Sequence, residues 1–201
     1  DGFFRRFTQL VTYAPYFIST VIVVSMLMLL LSPQLGGVNL LLEGLGLKPI
    51  NFLAQPGMFA GIFAWSGAWQ FSGYAAVIYL AALSSIDPQL HDAAKVDGAS
   101  RLQRIRHVDL PGIMPVILVI LILNVGNLLS VSFEKVFLMQ NPLNLATSEV
   151  ISTYVYKIGL LNANYSFATA VGLFNSVIGM ILLVLVNTLA KRLSNSGAGL
   201  W

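Results

Sequence analysis

The chain contains no cysteine among its 201 residues, and only 9% of its residues are charged. The lack of cysteine excludes disulfide bonds, thiolate zinc sites and a cysteine nucleophile. An ordinary soluble domain carries roughly 25% charged residues, which is nearly three times the fraction in this chain. Because 57% of the residues are hydrophobic, the composition indicates a membrane protein and disfavours the alternative of a soluble all-helical protein.

Patterns for catalysis and nucleotide binding are also missing. The only two histidines, His91 and His107, are sixteen residues apart and do not match the H-E-x-x-H spacing of zinc ligands. No glycine-rich loop with a following lysine is present, so we expect the chain itself to bind no ATP and no other cofactor. The net charge of +3 does not form a basic face with accessible aromatic residues, so we expect no nucleic-acid partner.

What the sequence does contain is long runs without charge, over residues 7–42, 49–86, 110–133 and 158–190. A helix of about 20 apolar residues crosses the hydrocarbon core of a bilayer, which is roughly 30 Å thick. The runs therefore predict an all-α polytopic membrane protein with four transmembrane helices, at about 10–31, 58–83, 112–133 and 165–190.

The basic residues predict the orientation of these four helices. An even number of spans places both ends of the chain on one side, together with the segment between the second and third spans. That side holds eight basic residues, and the other side holds three, namely Lys48, Lys135 and Lys157. Because basic residues concentrate on the cytoplasmic side of membrane proteins, we expect the segment between the second and third spans to be cytoplasmic.

That segment, LHDAAKVDGASRLQRIRHVDLP, is unusually polar. Residues 87–109 hold eight of the nineteen charged residues in the chain. Asp87 followed by Pro88 predicts a helix start, and Gly98 predicts the end of that helix. Ser100 and Gln103 match a capping box, which predicts a second short helix through about His107. Two short helices with a small alanine face favour a docking platform over an ordinary solvated loop.

The same segment resembles the EAA loop of type I ABC importer permeases. That family has Glu-Ala-Ala, a glycine four residues later, and then Ile-x-Leu-Pro at the spacing seen here. Two positions depart from the pattern, since Asp92 replaces the glutamate and Val108 replaces the isoleucine. The shorter side chain of Asp92 reduces the reach of the ion pair that the family acid makes with an ATPase subunit.

The resemblance implies a role for each matching residue in residues 87–111, taken as a cytoplasmic coupling loop that fits a groove in the ATPase. These roles are an ion pair for Asp92, close packing for Ala93 and Ala94, a turn for Gly98, and a helix restart for Leu110 with Pro111. The later segments SFEKVFLMQNP, STYVYKIGL, YSFATAVGLFNS and the ending LW look like the carbohydrate branch of the family, closest to the lipoprotein/polysaccharide and aldouronate-type oligosaccharide permeases.

Residues 1–201 would then form one permease domain, the C-terminal part of a longer chain that has one or two further helices. The resemblance implies a bacterial inner-membrane protein that imports an oligosaccharide or polysaccharide fragment by alternating access. Its partners would be a second permease subunit in a heterodimer, two ATPase subunits that bind ATP and Mg²⁺, an extracytoplasmic substrate-binding protein and membrane lipid. The permease itself would not be an enzyme.

The segment after the third span contains a candidate outer-face helix and candidate substrate contacts. Apolar residues recur at helical spacing from Thr147 to Gly159, which predicts an amphipathic helix that either contacts a binding protein or outer gate, or only seals the bundle. Amides within spans need polar partners, and aromatic rings suit the apolar face of a sugar. The candidates for the substrate pathway are Asn124, Asn127, Phe133, Tyr154, Phe174 and Asn175.

Other functions compete with the import of an oligosaccharide. An ABC permease for a peptide, an amino acid or an anion would keep the same coupling loop. A basic residue within a span would favour an anion or an acidic sugar, and the predicted spans contain none, although a partner permease could supply that charge. An intramembrane enzyme would need a catalytic dyad within the spans, and both histidines lie in the charged segment instead.

Overall fold

The computed structural model describes residues 2–126 and 132–193, and these residues form helices and loops without a β-strand. The α-helices are α1 Gly2–Tyr13, α2 Thr20–Leu30, α3 Gly37–Gly44, α4 Pro56–Ser84, α5 Pro88–Val96, α6 Arg101–Arg104, α7 Leu110–Gly126, α8 Phe133–Met139, α9 Leu145–Ser148, α10 Ile151–Val155 and α11 Tyr165–Leu193. Short 3₁₀ segments lie at Ala14–Phe17 and Phe52–Ala54, and π-helical segments lie at Ile105–Asp109 and Tyr156–Leu161.

The chain divides into two compact units. The first unit comprises Asp1–Gly73 and Ser130–Val171, and the second comprises Tyr74–Leu129 and Gly172–Trp201. Two of the three boundaries between the units fall inside long helices, α4 and α11, and the third lies among residues 127–131, outside the described residues.

The predicted helix 10–31 is broken into two helices, which corrects the expectation of one straight span. The axes of α1 with its 3₁₀ extension and of α2 differ by 103°. Pro15 lies in the 3₁₀ segment and lacks a backbone N–H, and Ser19 starts α2 anew because its Oγ accepts from the N–H of Ile22 at 3.4 Å. Gln70 of α4 donates from Nε2 to the carbonyl of Ile18 at 3.2 Å, which satisfies a carbonyl exposed by the break.

The first unit is built around α2, α4 and α8. Val24, Phe59, Val136 and Met139 form its buried apolar cluster. Helix α4 covers the predicted span 58–83 with two extra residues at its start and one at its end. Gly73 lets α1 approach α4 closely, because a Cβ on Gly73 would collide with the backbone carbonyl of Thr12. At Gly61 of the same helix, by contrast, a Cβ would meet nothing within 4 Å.

The second unit contains one continuous helix from Arg101 to Gly126, made of α6, the π segment and α7. Leu118 and Ile122 of this helix pack with Ala190 of α11 to form the buried apolar cluster of the unit. The helix therefore starts earlier than the predicted span 112–133. Residues 127–131 of that prediction lie outside the described residues, and Phe133 begins α8 instead.

Helix length and composition support membrane insertion. Within the described ranges, two helices are long and apolar enough to cross a bilayer, namely Arg101–Gly126 and Tyr165–Arg192, and the bent pair of α1 and α2 raises the number to three if it forms one span. The predicted second span, 58–83, corresponds to α4, which has 29 residues without charge but includes glycine, serine and glutamine among its apolar residues. Many large apolar side chains on α2 and α11 are exposed in the isolated chain, as expected of helices that contact lipid or partner subunits.

Candidate functional site

Helix α5 begins where the sequence predicts. The carboxylate Oδ1 of Asp87 accepts a hydrogen bond from the backbone N–H of Gln89 at 2.9 Å, and Pro88 occupies the first helical position. Proline suits this position because the first helical N–H groups have no partner within the helix. The side chain of Asp87 therefore caps the helix that carries the EAA-like residues.

The helix ends at Gly98 in a Schellman motif. Gly98 has a φ of +74°, which is in the left-handed region that favours glycine. The N–H of Ala99 donates to the carbonyl of Ala94 at 2.9 Å, and the N–H of Gly98 donates to the carbonyl of Lys95 at 3.0 Å. These two bonds close the end of α5 and turn the chain toward α6, as the sequence predicts for Gly98.

The capping box is also confirmed. The N–H of Ser100 donates to Oε1 of Gln103 at 2.7 Å, and the N–H of Gln103 donates to Oγ of Ser100 at 3.4 Å. Helix α6 then continues through the π segment Ile105–Asp109 into α7.

The predicted helix restart at Leu110 and Pro111 is not observed, because the helix runs without a break from Arg101 to Gly126. The π segment gives the physical reason. The N–H of Leu110 donates to the carbonyl of Ile105, five residues earlier, so the helix is wider at this point. A wider turn accommodates the ring of Pro111 and its missing N–H without ending the helix.

The EAA-like residues lie on an accessible surface. Asp92 is exposed, and its Oδ1 accepts from Nζ of Lys95 at 2.8 Å. This hydrogen bond and the charge of Lys95 lower the pKa of Asp92 below its usual value. Ala93 is exposed and Ala94 is half-buried. Helix α5 therefore presents a carboxylate beside small side chains, as a close-packing surface requires.

Large apolar side chains surround these residues. Val96 is 87% exposed and Leu102 is 75% exposed, one on each side of the turn at Gly98. Leu90 on α5 is also exposed. Exposed apolar groups at the tip of an otherwise polar segment mark this tip as a candidate contact surface.

The histidines of this segment have structural partners. Nε2 of His91 lies 3.4 Å from Oδ1 of Asp109, and Nδ1 of His107 lies 3.0 Å from the carbonyl of Gln103. In the described ranges, no group of three or more histidine, aspartate or glutamate side chains is arranged to hold a metal ion.

The segment that follows the third span differs in detail from its prediction. The sequence predicts one helix from Thr147 to Gly159, but the chain breaks at Glu149 and Val150 and the main helix runs from Ile151 to Leu161. Oγ1 of Thr153 accepts from the N–H of Val150 at 3.1 Å. The side chain that caps the start of α10 therefore belongs to the first turn of that helix and not to a residue that precedes it. Beyond Gly159, the π segment carries the helix for another two residues.

This segment brings Phe133, a predicted pathway residue, and Tyr156 toward one cleft. Phe133 contacts both Phe137 and Tyr156, with ring centroids 5.3 and 5.2 Å apart. Phe133 and Tyr156 line a cleft of 570 Å³ together with Ser152, whose Oγ is buried and has no hydrogen-bond partner in the described part of the chain. Tyr154 faces a different neighbour, Phe167, at 6.0 Å between ring centroids, and does not line this cleft.

The remaining pathway candidates belong to the second unit or lie outside the described residues. Asn124 and Phe174 are exposed. Asn175 is half-buried, and its Oδ1 is buried without a hydrogen-bond partner in the ranges that the structure covers. Asn127 lies outside the described residues. Of the predicted pathway residues, Phe133 therefore lines the cleft with Tyr156, and none of the other described candidates lines it.

Sequence reasoning missed Lys135, which it counted only as a basic residue on the outer side. Lys135 is 2% exposed and packs against α4. Its Nζ lies 3.5 Å from the carbonyl of Phe63 and 5.2 Å from the centroid of the Phe63 ring. Burial lowers the pKa of Lys135. The only sequence signal was a Glu-Lys pair between apolar residues in FEKVF, which does not distinguish a buried lysine from an exposed one.

Comparisons with known proteins agree over nearly the whole chain. Residues 1–195 match the family model described as "binding-protein-dependent transport system inner membrane component". The chain is 42% identical over 194 residues to the polygalacturonan/rhamnogalacturonan transport system permease protein YteP of Bacillus subtilis, and 38% identical to LplB of the same organism. These matches cover 96% of this chain and 60% and 61% of the relatives, so the chain spans about three fifths of their length.

A solved structure of a transporter is similar to this chain in both sequence and fold. The chain is 40% identical to a chain in the crystal structure of a bacterial alginate ABC transporter in complex with an alginate pentasaccharide-bound periplasmic protein. The TM-score is 0.94, and the match covers 98% of this chain and 68% of that chain. The fold therefore corresponds closely to that of a chain in a sugar-transporting membrane complex.

Proposed function

Because the chain belongs to the family of binding-protein-dependent transport system inner membrane components, we propose that it is the permease subunit of an ATP-driven importer for an acidic oligosaccharide. The observation that carries the proposal is the match of fold and sequence to the alginate transporter chain. The family consists of membrane channel components, and its fold is that of type I ABC permeases. Relatives that transport sugars favour this proposal over a permease for a peptide or an amino acid.

The substrate class is proposed from two relatives. YteP is named for the transport of polygalacturonan and rhamnogalacturonan, and a second solved structure, 41% identical, is described as an importer of the acidic polysaccharide alginate. Both substrates contain uronate units, so we expect the imported fragment to carry carboxylates. The proposed complex contains this chain, a second permease subunit, two ATPase subunits that bind ATP and Mg²⁺, and an extracytoplasmic binding protein.

The test of this proposal is ATP hydrolysis by the complete complex in lipid vesicles with the cognate binding protein. We expect oligogalacturonides to stimulate hydrolysis and neutral glucose oligomers of equal length to have no effect. Stimulation by the neutral oligomers alone would contradict the acidic substrate. No stimulation by any sugar, with an intact complex, would contradict sugar import itself.

We further propose that residues 87–111 form the cytoplasmic coupling loop that contacts an ATPase subunit. The support is physical: α5 has a cap at each end, an exposed carboxylate at Asp92, and small side chains at Ala93 and Ala94. Close packing on the alanines would bring a basic group of the ATPase within reach of Asp92. In this arrangement Lys95 competes for the same carboxylate, because its Nζ lies 2.8 Å away.

That competition defines a matched pair of variants. Asp92→Ala should weaken ATPase binding to the permease, whereas Lys95→Ala should leave it unchanged or strengthen it, because Asp92 then loses its internal partner. Association of purified ATPase with the permease in nanodiscs measures both effects. If Asp92→Ala and Lys95→Ala weaken the association equally, the Asp92–Lys95 pair acts within α5 and the proposed intersubunit ion pair is wrong.

For the substrate pathway we propose the cleft beside Phe133 and Tyr156. Aromatic rings stack on the apolar face of a sugar ring, and the unpartnered Oγ of Ser152 offers a hydrogen bond to a hydroxyl. Phe133→Leu should lower sugar-stimulated ATP hydrolysis and leave basal hydrolysis unchanged. Tyr165→Leu is the control, because Tyr165 is exposed and does not line the cleft. Equal loss in both variants would contradict the assignment.

A further inference from the structure

A second cleft, between the last turn of α4 and the segment 87–113, has features that ATPase docking does not explain. The cleft has a volume of 480 Å³. Its polar lining consists of His91, Arg101, Arg104 and Asp109, and its apolar lining includes Leu83, Leu110 and Ile113. Charged groups and large apolar side chains therefore face the same cleft, a combination that suits an amphipathic ligand.

The position of the cleft along the helix Arg101–Gly126 indicates its depth in a membrane. The last charged residue of that helix is Asp109 and the apolar run begins at Leu110, and both residues line the cleft. Leu83 lies in the last turn of α4, and Ile113 is buried one turn into the apolar run. A change from charged to apolar residues along a spanning helix marks the level of the lipid headgroups.

The charges in the cleft favour an anionic group. Arg101 and Arg104 contribute two positive charges against the single carboxylate of Asp109. That carboxylate already has a basic neighbour, because Nε2 of His91 lies 3.4 Å from its Oδ1. The cleft thus retains a net positive charge with the acid included.

The guanidinium of Arg104 gives the most direct indication that the cleft needs a hydrogen-bond acceptor. Its Nε is buried and has no hydrogen-bond acceptor in the part of the chain that the structure describes. A buried charged donor without an acceptor is costly, and native proteins nearly always satisfy such groups. The planar guanidinium presents paired N–H groups whose geometry matches two oxygens of a phosphate.

We propose that this cleft binds the phosphate headgroup of an anionic glycerophospholipid. Arg101 and Arg104 would donate to the phosphate oxygens, and the first carbons of the acyl chains would lie against Leu83 and Leu110. Basic pockets at the cytoplasmic ends of membrane helices recognise anionic headgroups by this chemistry. An acidic segment of another protein would match the arginines but would gain little from an apolar lining at headgroup depth.

Bound lipid would connect two parts of the coupling segment. His91 belongs to α5, whereas Arg101 and Arg104 belong to the helix that continues into the membrane. A headgroup between them would hold α5 against that helix. The lipid site is independent of the transported solute, so its failure in an experiment would not affect the proposed import function.

The experiment measures lipid binding to the full-length chain in its assembled complex by native mass spectrometry. The complex is titrated with phosphatidylglycerol or with phosphatidylcholine of the same acyl chains. We expect saturable binding of phosphatidylglycerol only. Each of Arg101→Gln and Arg104→Gln should weaken it about fivefold, since one arginine near an anionic lipid surface contributes roughly 1 kcal/mol.

Two further variants make the test specific. Arg106→Gln is the matched control, because Arg106 is an exposed arginine of the same helix that does not line the cleft. It should leave lipid binding unchanged. Asp109→Asn removes the only acid in the cleft and should strengthen binding. The opposite effect of Asp109→Asn and Arg104→Gln cannot arise from general unfolding, because a damaged helix would lose lipid in both variants.

Several results would overturn the proposal. Equal binding of the two lipids would show that the cleft does not recognise an anionic headgroup. Equal losses in Arg104→Gln and Arg106→Gln would place the lipid elsewhere. Displacement of phosphatidylglycerol by millimolar inorganic phosphate would assign the cleft to soluble phosphate. Unchanged lipid binding with weaker ATPase association in Arg104→Gln would assign it to an acidic protein segment.

Discussion

Replacement of Gly98 isolates the role of the turn between α5 and α6. Gly98 has a φ of +74°, and a Cβ built on it would meet nothing within 4 Å. A side chain at this position therefore introduces backbone strain without a steric collision. The strain acts on the two hydrogen bonds that close α5, from Ala99 to Ala94 and from Gly98 to Lys95.

The magnitude follows from the left-handed backbone. An L-residue with a Cβ loses roughly 1–2 kcal/mol in this conformation. Asparagine tolerates it best after glycine, and β-branched residues tolerate it least. Gly98→Asn should therefore have the smallest effect, Gly98→Ala an intermediate one and Gly98→Val the largest. A loss of 1–2 kcal/mol in the docked conformation of α5 corresponds to about 5- to 30-fold weaker binding of the ATPase.

The chain supplies a matched control at Gly46. Gly46 has a φ of +76°, and a Cβ there would also meet nothing within 4 Å. It ends α3 with the same pair of hydrogen bonds, from Leu47 to Leu42 at 2.9 Å and from Gly46 to Glu43 at 2.9 Å. Gly46→Ala should thus impose the same strain at a site outside the proposed coupling loop, residues 87–111.

The assay compares the two alanine variants in the assembled complex. Membrane insertion and thermal stability are measured first and should be similar for both. Association with the ATPase is then titrated in nanodiscs, where only Gly98→Ala should show weaker binding. If the two variants bind the ATPase equally well, or if the order of Asn, Ala and Val at position 98 is not observed, the geometry of this turn does not control docking.

Three further predictions concern the stability of the first unit. Gly73→Ala should lower the melting temperature in detergent, because its Cβ would collide with the backbone of α1. Gly61→Ala is the control and should leave the melting temperature unchanged or raise it. Equal effects of the two substitutions would contradict the close packing of α1 on α4 at Gly73. Lys135→Met should raise the melting temperature at pH 8, because burial lowers the pKa of this lysine below its ordinary value. Between the lowered pKa of Lys135 and pH 10.5, the unfolded chain binds more protons than the native chain, so the stability of the unsubstituted protein rises with pH. The increase in melting temperature caused by Lys135→Met should therefore shrink as the pH approaches 10.5. A lower melting temperature of the variant would show that Lys135 makes a stabilising interaction. Asn144→Ala should cost on the order of 3 kcal/mol in unfolding free energy, because Asn144 is fully buried and its side chain makes hydrogen bonds to Leu53, Met139, Asn141 and Ser148. The exposed Asn162→Ala is its control, and a similar loss there would contradict the role of the buried amide.

The elements that sequence patterns predicted correctly depend on local interactions. The cap at Asp87, the turn at Gly98 and the capping box at Ser100 each involve residues no more than five positions apart, so their partners can be recognised in the sequence itself. The extent of α4 follows from a long charge-free run for the same reason. Local backbone chemistry decides these features before any distant segment packs against them.

The predictions that needed correction concern helix continuity. Pro15 and Pro111 are both prolines in apolar surroundings, but Pro15 accompanies a break and Pro111 lies within a continuous helix. At the first site, Gln70 of another helix satisfies the exposed carbonyl of Ile18. At the second site, a π turn accommodates the proline. Neither outcome is visible in the residue type alone, because each depends on where the surrounding hydrogen bonds are made.

The sequence by itself determined the membrane class, the helical fold and the two capped helices of the polar segment 87–109, because these depend on composition and on short-range capping. Only the tertiary structure decided which side chains meet. It placed Lys135 in the interior against α4, grouped Phe133 with Tyr156 while Tyr154 packs elsewhere, and gathered Arg101 and Arg104 in one cleft. Burial and proximity between distant residues are properties of packing, and one-dimensional periodicity does not encode them.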